Sequence, residues 1–255
     1  MTVSLYHFWS SVCSVRPRMA LEEKGVEWES CYIDLFNFDQ MTPEYLLINP
    51  DGVVPTLVHN DEVICESMVI IDYIDDAFEG PSLKPDEPIQ IARMREFMTL
   101  CENKFPAIVL PTYVKYILPK LLNRWGKDEL QKQAVRRPTE FMRKVHGDGV
   151  NGEIHSPDIE KCHADIQIVL DRMETMLSAG PWLAGDRLSL AEITVAPYMF
   201  RLLALGLDDW WSSDLRPGVA EWYARVSALP SYRTAVSWPD ETGEGYEEVG
   251  LSTSR

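Results

Sequence analysis

The sequence predicts an α/β part with a mixed sheet at the N-terminal end, followed by an all-α part. Three observations predict this fold class. Strand-like and helix-like segments alternate up to about residue 80, which is typical of a layered α/β structure. Beyond residue 89 the apolar residues recur almost entirely at helical spacing. A proline-rich stretch that begins with Gly80-Pro81 separates the two parts and is a typical linker.

These observations place domain boundaries along the 255 residues. We expect an α/β domain at 1–80, a linker at 81–89 and a helical domain at 90–238. The remaining residues, 239–255, are acidic and contain glycine, so we expect a tail that is mobile or lies on the surface.

In the first domain, β-branched and aromatic residues at 3–9 favour a strand. Helical spacing at 15–25 predicts a helix that ends at Gly25, since glycine readily adopts the left-handed conformation of a C-cap. The other elements expected in this domain are strands at 26–35, 53–58 and 62–65 and an amphipathic helix at 67–78.

In the second domain, helices are expected at 91–104, up to about 122, and at 158–177, 189–205 and 218–229. Prolines at 106, 111 and 119 predict a kinked or broken helix. Ser189 and Glu192 have the spacing of a capping box, in which each residue satisfies an amide of the helix start. The charged stretch 124–155 contains a glycine cluster at 146–152, and we interpret this cluster as a surface loop.

Composition excludes several functional classes. The net charge of −16 argues against nucleic-acid binding and against anionic membranes, because a basic face would be needed for either. No apolar run approaches transmembrane length, and no signal peptide is recognisable. The five cysteines form no C-x-x-C pair and the histidines have no metal-ligand spacing, so we expect a reduced, cytoplasmic protein without a metal site.

The stretch Ser-Ser-Val-Cys-Ser-Val-Arg-Pro-Arg, residues 10–18, predicts an anion site. Proline is tolerated in the first turn of a helix, so Pro17 implies a helix that begins between about residues 13 and 16. Cys13 and Ser14 would then lie at the cap, where free amides and the helix dipole stabilise a negative charge. A thiolate is the anion that most needs such help, because a free thiol has a pKa of about 8.5. Ser14 could donate to a ligand's thiolate or merely cap the helix, and Cys13 could be the thiolate itself or a packed apolar residue.

Two further segments suggest a peptide-like ligand. Pro55 interrupts a strand-like run and would leave the backbone of Val54 free to pair with a ligand. Glu66-Ser67 stands at a strand-to-helix junction, where Glu66 could pair with an ammonium group. Ser67 is a suitable N-cap, and the helix amides behind it could receive a carboxylate. Together these features describe a site for a small zwitterionic peptide with its thiol near residue 14.

The whole chain resembles the glutathione S-transferase family. The resemblance is carried by fragments in the right order and spacing: Ala-Leu-Glu-Glu-Lys-Gly at 20–25, Asn-Pro-Asp-Gly-Val-Val-Pro-Thr-Leu at 49–57, Glu66-Ser67, and Pro-Trp-Leu-Ala-Gly-Asp-Arg-Leu-Ser-Leu-Ala-Glu at 181–192. It implies a thioredoxin-like N-terminal domain, a helical-bundle C-terminal domain and glutathione as co-substrate. It also implies that Val54, beside Pro55, pairs with the cysteinyl backbone of glutathione, that Glu66 and Ser67 hold its γ-glutamyl end, and that Gln40 reaches its glycyl end.

Ser14, followed by Val15-Arg16-Pro17, is similar to a serine of the bacterial β-aryl ether-cleaving branch of that family, and the charged insertion after Leu122 also fits this branch. The resemblance implies that a glutathione thiolate, aided by Ser14, attacks an α-keto aryl ether of lignin-derived compounds and releases a phenol. The residues expected around the aromatic substrate are Trp9, Phe105, Val109, Tyr113 and Tyr116.

Three other functions stay open from the sequence. Cys13 could be the nucleophile of a glutathione lyase or reductase, the protein could be a generic detoxifying conjugation enzyme, or it could be a non-catalytic binding module. Whether Ser14, Cys13 or Ser11 meets the thiolate also stays open. Members of this family usually form dimers, so the resemblance implies a dimer, either of identical chains or with a paralogue.

Overall fold

The computed structural model describes residues 2–237. The predicted tail at 239–255 lies outside the described residues.

The N-terminal domain is a four-stranded mixed sheet. In chain order its strands are β1 (Val3–His7), β2 (Glu29–Tyr32), β3 (Thr56–His59) and β4 (Glu62–Ile64). Their spatial order is β2-β1-β3-β4, with β2 parallel to β1 and the other neighbours antiparallel. The predicted mixed sheet is confirmed, although the first three strands are shorter than expected. Phe8 and Trp9 follow β1 but leave the sheet and line a cavity.

Helices cover this sheet and support the segments that follow its strands. The helices are α1 (Val12–Lys24), a short 3-10 turn (Asp39–Met41), α2 (Pro43–Ile48) and α3 (Ser67–Ala77). Helix α1 ends as predicted at Gly25, which has a φ of 65° and whose amide donates to carbonyls of the last turn. The Val54-Pro55 peptide bond is cis.

The C-terminal domain is entirely helical within the described residues. In chain order it contains α4 (Pro88–Asn103), α5 (Pro106–Thr112), a π-helical turn (Tyr113–Ile117), α6 (Leu118–Arg136), α7 (Glu140–Asn151), α8 (Ser156–Leu177), α9 (Leu190–Leu205), a 3-10 turn (Asp208–Trp211), α10 (Pro217–Ser227) and α11 (Pro230–Val236). Where the prolines predicted a kinked or broken helix, a π-turn changes the hydrogen-bonding pattern between α5 and α6, but the backbone stays helical there. The non-helical residue lies later, at Gly126 within α6, with a φ of 74° and a ψ of 165°. None of the helices among residues 2–237 is long and apolar enough to cross a membrane.

Helix α9 joins the two domains into one core. Every residue of α9 except Leu203 is buried, and the helix packs against α1, α4 and α5. The predicted capping box is present at its start. The Ser189 amide donates to the Glu192 carboxylate at 2.9 Å, and the Leu183 amide donates to the other carboxylate oxygen at 2.6 Å.

The prediction of a surface loop at 146–152 is wrong. These residues form the second half of α7, which ends at Gly152 with a φ of 77°. The glycines serve close packing rather than a turn. A Cβ on Gly149 would come within 2.4 Å of the Tyr113 ring, so only glycine lets α7 approach the π-turn at this distance.

Candidate active site

One cavity of about 750 Å³ lies between the sheet domain and the helical domain. It brings together the predicted site residues with the exception of Ser14. Its lining includes Trp9, Cys13, Gln40, Val54, Pro55, Glu66, Ser67, Phe105, Val109, Tyr113 and Tyr116, and also Ser11.

The start of α1 differs from the prediction by one residue, and this changes the role of each hydroxyl. Helix α1 begins at Val12, and its N-cap is Ser11, whose Oγ accepts from the Ser14 amide at 3.3 Å. Pro17 is therefore in the second turn, and it has no N–H to donate to the Cys13 carbonyl. Neither Cys13 nor Ser14 is the cap.

Ser14 does not line the cavity. Its side chain is fully buried, and its Oγ accepts from the Phe8 amide at 3.3 Å. This placement contradicts the prediction that the Ser14 hydroxyl meets a ligand's thiolate. Ser11 lies on the cavity wall instead, at the start of α1, where the first amides have no partner within the helix.

Cys13 also reaches the cavity wall, but its surroundings favour the neutral thiol. Burial raises the pKa of Cys13, while the Arg16 guanidinium and a hydrogen bond from Ser67 act in the opposite direction without prevailing. A thiol in this state is a poor nucleophile, because reactivity belongs to the thiolate.

Beside α3 the cavity is acidic. Glu66, Asp51 and Glu102 all line it, and burial, followed by the charges of the other two carboxylates, raises the pKa of Glu66. Three neighbouring carboxylates suit an ammonium group, which would relieve their mutual repulsion.

The junction at Glu66 has an uncommon backbone. Glu66, not Ser67, is the N-cap of α3, and its φ of 66° is unusual for a residue with a side chain. Ser67 is the first helical residue, and its Oγ accepts from Arg16 Nη1 at 2.8 Å. The buried Arg16 also donates to Tyr198 Oη at 3.1 Å and to the Thr194 carbonyl at 3.2 Å, so it ties α1 and α3 to α9.

Gln40 lies on the 3-10 turn after β2. Its side chain is buried, and its Oε1 has no hydrogen-bond partner among the described residues. Since unpartnered buried acceptors are rare, this atom is suited to a donor from a bound molecule.

Two cavity arginines were not singled out by sequence reasoning. Arg201 is 2% exposed, donates from Nη2 to the Ser10 carbonyl, and has no partner for Nε and Nη1 among the described residues. Arg137 is 3% exposed and likewise has no partner for Nε and Nη1. Burial lowers the pKa of each guanidinium to about 10, so both are charged at neutral pH. A signal existed for Arg201, because it is the only cation in the mostly apolar α9.

Comparison with known proteins identifies the fold. The N-terminal domain model of glutathione S-transferases matches residues 5–82, and the C-terminal domain model of the same family matches residues 157–225. The chain belongs to the glutathione S-transferase family. Its sheet domain is thus the thioredoxin-like domain of this family, and its co-substrate is glutathione. The residues described above fit that tripeptide, since the acidic cluster suits its ammonium group and Gln40 Oε1 lacks a donor.

Three relatives of this transferase are informative. Protein LigF of Sphingobium sp. strain SYK-6 is 28% identical, with 91% of this chain and 92% of that protein covered. The crystal structure of beta-etherase LigF from the same strain superposes with a TM-score of 0.83 over 92% of this chain and 98% of that chain, at 27% identity. A tetrachloro-p-hydroquinone reductive dehalogenase of Sphingobium chlorophenolicum is 28% identical over 94% of this chain and 98% of that protein. Glutathione S-transferase 1 of Dianthus caryophyllus is 30% identical over 81% of this chain and 80% of that protein.

Proposed function

We propose that this transferase cleaves β-aryl ethers with glutathione. The glutathione thiolate attacks the β-carbon of an α-keto aryl ether, a carbon–sulfur bond forms, and the carbon–oxygen bond breaks. Its electron pair leaves with the phenolate, which takes a proton from solvent. The likeness to the beta-etherase named above supports this substrate class.

The observation that carries the proposal is the position of Ser11. Ser11 caps α1, and Ser11, Val12 and Cys13 at the helix start line a cavity whose other walls are largely aromatic and aliphatic. A hydroxyl and free amides at a helix start stabilise a thiolate and lower the pKa of its thiol. In this proposal Ser11, rather than Ser14, donates to the glutathione sulfur.

The positions of the other parts of glutathione are assigned from the acidic residues and from the polar atoms that have no partner among residues 2–237. Its ammonium group lies among Glu66 and the neighbouring carboxylates, with Ser67 at its γ-glutamyl carboxylate. Its cysteinyl backbone pairs with Val54 beside the cis Pro55, and its glycyl end reaches Gln40. The aromatic acceptor lies against Trp9, Phe105, Val109, Tyr113 and Tyr116.

Arg201 contributes a positive charge to this reaction. Its guanidinium is bound to the carbonyl of Ser10, one residue before the cap of α1, and two of its nitrogens have no partner among residues 2–237. A charge held in this position stabilises negative charge that develops on the departing oxygen or on the thiolate.

The alternative in which Cys13 is the nucleophile of a lyase or reductase is supported by its place on the cavity wall and by the dehalogenase relative. The raised pKa of its thiol makes it the weaker candidate. A non-catalytic binding role is the third candidate, and failure to bind immobilised glutathione would favour it.

The test is incubation with glutathione and an α-keto β-aryl ether, with mass-spectrometric detection of the released phenol and the glutathione thioether. Ser11→Ala should reduce kcat/KM by more than about tenfold, as expected for loss of one donor to a reacting anion, and should raise the pKa of bound glutathione measured by thiolate absorbance. Cys13→Ser should retain the activity. Absence of the thioether would refute ether cleavage, and activity that is lost in Cys13→Ser alone would favour the cysteine reaction.

We also propose a dimer, because the family commonly forms one, and a cytoplasmic location. Light scattering of the purified chain, alone and mixed with a paralogue, separates a homodimer from a heterodimer.

A further inference from the structure

Arg137 is a charged residue of the cavity wall that belongs to the helical domain. It joins α6 to α7. Its guanidinium carbon is 5.2 Å from the centre of the Phe38 ring. Among residues 2–237 no hydrogen bond satisfies its Nε or Nη1.

No carboxylate neutralises this charge within the described part of the chain. The ion pairs found there do not include Arg137. Burial is the main cause that lowers its pKa, Tyr113 acts in the opposite direction, and no carboxylate contributes. A buried guanidinium without a counter-ion is costly. Charged side chains are otherwise buried with a partner, so an anion supplied from outside would complete the site.

Two neutral donors accompany the guanidinium. Tyr113 is 2% exposed, and its hydroxyl has no hydrogen-bond partner among the described residues. Burial raises the pKa of Tyr113, so the hydroxyl remains protonated. The His146 ring is 4.7 Å from the Tyr113 ring, centre to centre, and burial next to Arg137 lowers the pKa of His146 to about 3. His146 is therefore a neutral imidazole with one N–H.

The geometry points to a carboxylate-binding subsite formed by Arg137, Tyr113 and His146. All three line the same cavity, two of them offer hydrogen-bond donors without acceptors, and together they carry one positive charge. A carboxylate accepts several hydrogen bonds and matches the planar guanidinium better than a neutral group does.

We assign the carboxylate to the aromatic acceptor. The three residues belong to the helical domain, on the π-turn, on α7 and between α6 and α7, whereas Asp51 and Glu66 of the acidic cluster belong to the sheet domain. Apolar side chains such as Val145 and Phe141 line the cavity nearby in sequence, as an aromatic ring requires. The preferred substrates are then aryl ethers that carry a carboxylate. The placement of the acceptor in this half of the cavity rests on the proposed function.

Glutathione itself is the other source of a carboxylate. Phe38, which packs under Arg137, lies two residues before Gln40, where the glycyl end of glutathione is expected. The test therefore has one arm for each source.

The first arm measures binding by calorimetry of para-phenoxybenzoate and of its neutral amide, in the presence of S-methylglutathione. Neither compound contains the keto group needed for cleavage, so the result does not depend on ether cleavage. The parent protein should bind the acid at least about tenfold more tightly than the amide, a difference expected for a charge-assisted pair. Arg137→Met should remove this preference, and Tyr113→Phe should reduce it. Arg136→Met is the matched control, because Arg136 is an exposed arginine next to the site, and it should leave the preference unchanged.

The second arm compares glutathione with its glycyl ethyl ester in the same variants. If Arg137→Met weakens glutathione but not the ester, the subsite exists and its occupant is glutathione, which overturns the assignment to the acceptor. If neither carboxylate binds more weakly to Arg137→Met than to Arg136→Met, the subsite itself is refuted. Circular dichroism verifies that each variant is folded, and Tyr113→Phe provides an independent result should Arg137→Met fail to fold.

Discussion

Helix α7 contains two glycines that differ in what a methyl group would meet. At Gly147 an added Cβ has no atom within 4 Å outside its own helix backbone. At Gly149 it would lie 2.4 Å from Tyr113 Cε1 and 3.5 Å from Ile154 Cδ1. The pair therefore separates helix propensity from packing within a single helix.

The expected changes in the free energy of unfolding follow from these distances. Alanine in place of a helical glycine stabilises a protein by about 0.5–1 kcal/mol, and Gly147→Ala should realise this gain. At Gly149 the same gain is opposed by overpacking, which costs about 1–3 kcal/mol, because the Tyr113 ring has to move by roughly 1 Å to restore ordinary contact. We expect the two variants to differ by about 1–3 kcal/mol, which is the overpacking cost, and Gly149→Ala to lower the free energy of unfolding by up to about 2 kcal/mol.

Urea unfolding followed by circular dichroism measures both values, and thermal melts provide a second estimate, with about 2–4 °C expected for each kcal/mol. Displacement of Tyr113 should also weaken binding of para-phenoxybenzoate to Gly149→Ala but not to Gly147→Ala. Equal stabilisation by both substitutions would refute the reasoning, because it would mean that the Tyr113 ring does not pack closely against Gly149.

Two further predictions concern buried titratable groups. Glu192→Ala should lower the free energy of unfolding by at least about 2 kcal/mol, because the buried amides of Leu183 and Ser189 lose their acceptor and each such loss costs about 1–3 kcal/mol. A loss below about 1 kcal/mol, measured by urea unfolding, would contradict the role of the capping box. His7 and His146 both have a pKa lowered to about 3 by burial and a neighbouring arginine, so below about pH 6.5 the unfolded chain binds protons that the folded chain does not. The contribution of these histidines to the free energy of unfolding is fully present above about pH 6.5. It should fall on acidification by up to about 1.4 kcal/mol per pH unit for each histidine. Urea titrations between about pH 6.5 and 5 measure the slope, and a slope unchanged in His146→Asn would count against its burial as a neutral ring.

Local patterns predicted most of the architecture. The αL conformation at Gly25, the capping box at Ser189 and the π-turn among the prolines depend on residues within one or two helical turns, so a single chain segment contains the information. The segments after β2, before β3 and before α3 were also recognised from local patterns. They line one cavity because the strand order places them at the same end of the sheet.

Other features could not be predicted from neighbouring residues in the sequence, because they depend on contacts with distant segments. The glycine cluster at 146–152 has the composition of a loop, but Tyr113, more than thirty positions earlier, packs against Gly149 and requires a helix there. Ser11 and Ser14 are both small hydroxyl residues within one turn, and the Phe8 amide decides which of them is turned away from the cavity.

The sequence by itself determined the family, the two-domain order, the glutathione co-substrate and the set of segments that form the cavity, because each depends on short motifs and on periodicity along the chain. Tertiary structure alone decided that Ser11 rather than Ser14 lies on the cavity wall and that Arg137 and Arg201 are buried there without acidic partners among residues 2–237. Burial and hydrogen-bond pairing are properties of atoms that meet across the fold, and those atoms come from segments that are far apart in the chain.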